Sequence, residues 1–261
     1  MEVRGLDLHV LEWGPEGRSG VLLLHGGAAH AHWFDAVATA LGEHRHVVAL
    51  DQRGHGESDP AETYGPITAF DDLTGVTAQL GLTSLVLVGL SMGGRNAIYF
   101  TAKRPEAVQK LVIVDIGPEI SKRASQPSSG PPEPETWDSV EQAAQHLHRG
   151  NPYPGIHYYR WVATTSLKTR PDGRLIWTWH PSVKERRFTG EIDWWGLLKT
   201  VTPPTLVLRG AESTVLDRDV AERMATTLPR GRFVEIPRAV HTLHEDNPDA
   251  VLAALRDFLG F

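Results

Sequence analysis

The chain has 261 residues, 41% of them hydrophobic, a net charge of −6 and no cysteine. That length suits one large domain with a substantial core rather than two. The acidic balance leaves no basic footprint for nucleic acid or an anionic membrane surface, and the lack of cysteine excludes disulfides, thiolate catalysis and cysteine-bound zinc. The start, Met1 to Gly5, has no basic region followed by an apolar stretch, and no window approaches the roughly 18 apolar residues of a membrane span. The expectation is a cytoplasmic protein, monomer or homodimer, with a small-molecule substrate and neither nucleic-acid nor membrane partners.

Leu6 to Trp13 alternates apolar and polar residues and predicts an antiparallel edge strand, ended by Gly14-Pro15-Glu16-Gly17. Short apolar runs then predict buried strands at Val21–His25, Val47–Asp51, Leu85–Gly89, Leu111–Asp115, Thr205–Arg209 and Arg232–Ile236. Helix-length segments fall between and after them, at Ala31–Leu41, Thr68–Leu80, Gly93–Arg104, Asp217–Leu228 and Pro248–Phe261. Such alternation calls for a parallel sheet with helices on both faces, and ligands in such sheets bind at the carboxyl ends of the strands.

One interval breaks the rhythm. About ninety residues separate Asp115 from Thr205, far more than a crossover needs. The interval is read as a cap over 119–200, with 1–118 and 201–261 forming the core. Its first part, Ser121 to Thr136, is rich in Pro, Ser and Gly and reads as a mobile connection. Six of the eight tryptophans follow: Trp137, Trp161, Trp177, Trp179, Trp194 and Trp195. Most would build the cap's own core, and some would line the roof of an apolar pocket. Trp161 and Trp177, with Trp33 from the core, are the candidate substrate contacts.

The motif that carries chemistry is Gly89-Leu90-Ser91-Met92-Gly93, between the apolar run Ser84 to Val88 and the helical-looking segment Gly94 to Arg104. A serine on so sharp a strand-to-helix turn needs glycines beside it for steric reasons. The turn would hold the Ser91 hydroxyl clear of the backbone. It would also leave the Met92 N–H without an intrahelical partner, free to face a developing oxyanion.

Four features in this order resemble the α/β-hydrolase superfamily over nearly the whole chain. They are the turn His25-Gly26-Gly27, the D-x-R-G-x-G-x-S run at Asp51 to Ser58, the elbow at Ser91, and a late His241 followed by His244-Glu245-Asp246-Asn247-Pro248. The segments Ser91 to Ala97 and Leu111 to Glu119 are similar to a bacterial branch loosely described as epoxide-hydrolase-like. That label does not transfer, because true epoxide hydrolases of this fold place an aspartate where this chain has Ser91. The resemblance implies a mostly parallel sheet of about eight strands with helices on both faces and a helical cap inserted after the sixth. It implies no cofactor and no metal. Gly27 and Met92 would supply the oxyanion hole, and His241 would be the base, with His244 structural. His25 would brace its loop, and Arg53 and Asp51 would form a structural pair.

A serine needs a base within reach, itself oriented by an acid. In most relatives an aspartate follows the strand matching Thr205–Arg209, but here the chain reads Ala211-Glu212-Ser213-Thr214. Neither hydroxyl stabilises an imidazolium as a carboxylate does. Asp115, ending the strand after the nucleophile strand, is the replacement, an acid position used by some lipases of this fold. Asp217 and Glu212 remain alternatives, as does a dyad without an acid. The expected activity is hydrolysis of carboxylic esters or lactones of small to medium apolar or aromatic substrates through an acyl-serine. The same residues suit a C–C bond hydrolase or a perhydrolase. A small-molecule-binding or degenerate member with little turnover, and a cofactor-free cyclase or oxygenase, are the readings outside that chemistry. Three H-x-H pairs (His30/His32, His44/His46, His146/His148) lack a carboxylate-rich metal signature and are read as mostly solvated.

Overall fold

The computed structural model describes residues 1–17, 19–125, 134–185 and 190–260. The chain opens with a small antiparallel pair, β1 (Glu2–Val3) and β2 (Leu6–Asp7). Then come β3 (Val10–Trp13), β4 (Ser19–Leu24), a 3-10 turn over Ala31–Phe34, α1 (Asp35–Gly42), β5 (His46–Leu50), α2 (Pro66–Gln79), β6 (Ser84–Leu90), α3 (Met92–Lys103) and β7 (Val108–Val114). The insertion holds α4 (Val140–Gly150), α5 (Ile156–Ser166), the hairpin β8 (Leu167–Thr169) and β9 (Leu175–Trp177), and α6 (Ser182–Glu185). The chain returns through α7 (Trp194–Thr200), β10 (Thr205–Gly210), α8 (Arg218–Thr227), β11 (Gly231–Ile236), α9 (Leu243–Asp246) and α10 (Pro248–Leu259).

The central sheet runs β11-β10-β7-β6-β4-β5-β3, parallel throughout except for the antiparallel edge strand β3. It has seven strands rather than about eight, and the insertion follows the fifth of them in chain order. The predicted edge strand over Leu6 to Trp13 is split in two. Leu6–Asp7 pairs back on Glu2–Val3, and only Val10–Trp13 joins the sheet, against β5.

The continuous apolar runs arise because both faces of the inner strands are buried. Successive residues of β4 enter opposite layers, Leu22 and Leu24 on one face and Val21 and Leu23 on the other. β6 and β7 repeat this with Leu85, Leu87, Leu111 and Ile113 against Val86, Val88, Val112 and Val114. Register then does the positioning. Parallel in-register pairing of β4, β6, β7 and β10 brings His25, Ser91, Asp115 and Gly210 to one edge of the sheet.

The cap has a small core of its own, in which Trp137 is fully buried among Ala143, Ala144, Tyr159 and Ala163. Trp137 also pairs with Leu175 across the edge of the β8–β9 hairpin, so the insertion is not wholly helical. Trp194 and Trp195 lie elsewhere. They start α7, which packs with α3 and α8 against the central core cluster. Trp195 donates from Nε1 to Glu119, and the Arg223 guanidinium sits 3.9 Å over its ring. Of the connection predicted over Ser121 to Thr136, residues 126–133 lie outside the described residues.

Candidate active site

Ser91 stands between the last residue of β6 and the first of α3 with φ 52° and ψ −114°, a sparsely populated conformation for a side chain with a Cβ. Two backbone bonds over-determine it, its N–H donating to Val114 O of β7 and its carbonyl accepting from Arg95 N–H one turn into α3. The hydroxyl has no hydrogen-bond partner among the described residues.

Asp115 follows β7 and has left-handed backbone, φ 48°. It is wholly buried, and its carboxylate receives three donors. Gly210 N–H reaches Oδ1 at 3.1 Å, the Ser213 hydroxyl reaches Oδ2 at 2.5 Å, and His241 Nδ1 lies 2.7 Å from the same Oδ2. A carboxylate only accepts, so Nδ1 carries the proton and Nε2 is left with a lone pair, the tautomer that a general base requires. The His241 side chain keeps 30% of its surface, enough for Nε2 to meet a ligand.

The other candidate acids are engaged away from His241. Asp217 accepts from the Ser121 hydroxyl at 2.9 Å and Arg123 at 2.6 Å, and these bonds hold its carboxyl below the usual range. Glu212 accepts from the cap residue Tyr153. Its own N–H donates to Ala239 O and thereby ties the loop after β10 to the one that carries His241.

The N–H groups of Gly27 and Met92 have no acceptor among the described residues. The loop holding Gly27 is braced by neutral side chains. His25 Nδ1 donates to Gly26 O at 2.7 Å, and its Nε2 accepts from Gln52 N–H at 3.0 Å. Gln52 returns a bond to His25 O and accepts one from Asn96 on α3. Burial pushes the His25 imidazole down to about 3, so it serves as a fixed strut.

Asp51 and Arg53 do not pair with each other. Asp51 accepts from the N–H groups of Ala31 and Glu57 and from His9, whereas Arg53 makes a bidentate pair with Asp72 at 2.6 Å. Each closes its own loop, so both are structural by different contacts. The histidine pairs are also less solvated than their spacing suggests. His30 and His46 are buried against Ser166 and Glu12, His32 meets Asp35, and His146 and His148 lie on Trp137 and Tyr159.

Two of the three candidate substrate contacts lie where the cap meets the core. Trp33 donates from Nε1 to Ser166 Oγ at 3.5 Å, and the same hydroxyl meets His30 Nε2 at 2.7 Å. Trp161 sets its ring edge-on to His32 at 6.1 Å. Trp177 instead packs edge-on against Trp137, at 5.5 Å, inside the cap. Ser166 ends a run of small polar residues and carries no sequence signal of its own. Beside Met92 there is also a small cavity of about 20 Å3, its wall mostly apolar, with Leu50, Tyr64, Ala69 and Leu73 alongside Gln52 and Asn96.

Behind the base loop, Tyr158 of α5 donates to Glu245 at 2.7 Å, and Asn151 donates to Asp246, whose other oxygen accepts Val240 N–H. Burial raises the Glu245 carboxyl to about 8, while it lowers His30 to about 4 and His244 to about 3. These shifts set a pH dependence of stability. His25, His30 and His244, together with His55, which burial also lowers, favour the folded state above pH 6.5, and that advantage drains away as pH falls toward 3 to 4. Glu245 acts oppositely, favouring folding below pH 4.5 and losing its contribution as pH rises through about 8. Thermal unfolding should therefore give a maximum Tm near pH 6 to 7, with each group changing stability by up to about 1.4 kcal/mol per pH unit inside its window. In Glu245→Gln the decline between pH 6.5 and 8 should vanish while the acid limb stays; an unchanged alkaline decline would clear Glu245.

The in-register strand edge, the sharp elbow and the histidine loop after the last strand define an α/β hydrolase. The chain matches the model of the alpha/beta hydrolase fold over residues 21–248 and belongs to that family. It is 27% identical to the 2-(acetamidomethylene)succinate hydrolase of Mesorhizobium japonicum, over 99% of this chain and 94% of the relative. It is 30% identical to the N-formylmaleamate deformylase of Pseudomonas putida, over 99% and 95%. It is 28% identical to the esterase Rv0045c of Mycobacterium tuberculosis, over 97% and 86%. A crystal structure of E-2-(acetamidomethylene)succinate hydrolase superposes with a TM-score of 0.87 at 26% identity, over 98% of this chain and 96% of that one. The protein is a hydrolase of this fold, and no helix among the described residues is long and apolar enough to cross a membrane.

Proposed function

We propose that the protein hydrolyses carboxylic esters or lactones of small to medium apolar or aromatic substrates through an acyl-Ser91 intermediate. The observation that carries the reading is the 2.7 Å contact of buried Asp115 with His241 Nδ1, at the same sheet edge as the strained Ser91. His241 Nε2 takes the Ser91 proton as Oγ attacks the carbonyl, the Gly27 and Met92 N–H groups receive the oxyanion, and His241 passes the proton to the leaving alcohol. Water then repeats the sequence on the acyl-enzyme. Asp115 holds the imidazole in its tautomer and stabilises the imidazolium. Trp33 and Trp161 form the aromatic wall above the acyl group.

A second reading keeps these residues but breaks an acyl–nitrogen bond. The near full-length similarity to a deformylase and to an acetamidomethylene hydrolase supports it. Both readings are tested by steady-state turnover of p-nitrophenyl acetate, butyrate and octanoate beside N-formyl and N-acetyl enamides. Labelling by a fluorophosphonate, mapped by peptide mass spectrometry, accompanies the kinetics. The expected result is turnover with the label on Ser91 and none on Ser91→Ala. Preference for esters or for enamides decides between the two readings. A wild type that neither labels nor exceeds Ser91→Ala overturns both and leaves a ligand-binding member of the fold.

A further inference from the structure

We propose that Ser213 is a positioning residue for the acid: its hydroxyl is locked onto Asp115 Oδ2 and fixes the oxygen that His241 uses. The inference rests on the triad proposed for this site and adds a fourth member to it. Ser213 lies in the turn after β10, wholly buried and bonded to the Asp115 carboxylate that meets His241.

The hydroxyl has one direction open to its proton. Its oxygen accepts the N–H groups of Val215 at 3.1 Å and Leu216 at 3.2 Å, which occupy both lone pairs and leave the O–H to donate. The acceptor is Asp115 Oδ2 at 2.5 Å, a charge-assisted bond in a site closed to water. Ser213 N–H in turn donates to Gly210 O, and Gly210 N–H donates to the other carboxylate oxygen, Oδ1. One tight turn after β10 therefore grips both oxygens of Asp115. This matters because Asp115 departs from β7 in left-handed backbone and owes its orientation to its hydrogen bonds. Without Ser213, Oδ2 would keep His241 alone, and a bond that must hold the imidazole through two proton transfers would lose its fixed end.

The test is a double-mutant cycle on p-nitrophenyl butyrate with wild type, Asp115→Asn, Ser213→Ala and the double variant. Ser213→Ala should lower kcat about 10- to 100-fold with KM within about two-fold, the loss of one charge-assisted bond in a solvent-free site. In the Asp115→Asn background the same change should cost less than about two-fold, because it acts through a carboxylate no longer present. If Ser213→Ala does not accumulate as folded protein, Ser213→Cys, which keeps a weak donor at the same position, is read in the same cycle. A full multiplicative loss in both backgrounds, or a Ser213 variant with wild-type kcat, overturns this proposal alone. An Asp115→Asn enzyme with wild-type rate overturns the triad and this proposal together.

Discussion

Asparagine in place of Asp115 should lower kcat for an ester by about four orders of magnitude, the loss known for the same change in a serine-protease triad. Shape is conserved, and asparagine tolerates the left-handed backbone that this position needs. The defect is electronic. An amide can present its NH2 to Nδ1, which turns the imidazole to the tautomer with its proton on Nε2, unable to accept from Ser91. Gly210 N–H would meanwhile donate to the amide oxygen at the Oδ1 position, holding the NH2 toward His241, while the Ser213 hydroxyl at the Oδ2 position would lose its acceptor. Steady-state kinetics with Ser91→Ala as background measures the effect. Activity within ten-fold of wild type would remove Asp115 from the mechanism.

A methyl group on Gly93 should unsettle the fold itself. A Cβ there would lie 2.3 Å from Leu24 O and 2.6 Å from His25 O, both backbone atoms at the end of β4. Neither can yield without moving the strand end that carries the oxyanion loop. Gly93→Ala should cost about 4 kcal/mol or more, in the range reserved for severe backbone conflict, which lowers Tm by roughly 8–16 °C in a domain of this size. Enzyme that does fold should lose about 100-fold in kcat as Gly27 is displaced. Gly27→Ala is the control, since a Cβ at Gly27 meets nothing within 4 Å and Tm should hold. Equal Tm losses in the two variants would show that the elbow does not depend on this close approach.

The parts of the fold that the sequence disclosed are those governed by short-range sterics and two-sided burial. Val21 to Leu24 and Leu85 to Val88 read as inner strands because every residue of each run is buried in one layer or the other. Ser91 was legible because its turn has one steric solution. Which carboxylate meets His241 was legible only as a choice among Asp115, Asp217, Glu212 or none, since backbone direction after β7 and β10 brings Asp115 to it and nothing in the residue types encodes that. Long polar side chains were the least readable. Arg53 reaches across to Asp72, and the buried pairings of His30 and His46 depend on partners remote in sequence. Tryptophan count overstated the cap's own core, because Trp194 and Trp195 come after the chain has rejoined the main body. Length of insertion does not tell where the return begins.

The Ser166 hydroxyl holds both His30 and Trp33, three and six residues after Gly27. The proposed roof of the site and the proposed cradle for its charge thus hang from one peg. On the proposed mechanism, a long acyl chain that displaces α5 should break those bonds and so loosen the loop carrying Gly27. Acyl-chain length should consequently be felt in turnover as well as in binding, so that the cap measures its substrates by the rate at which they react.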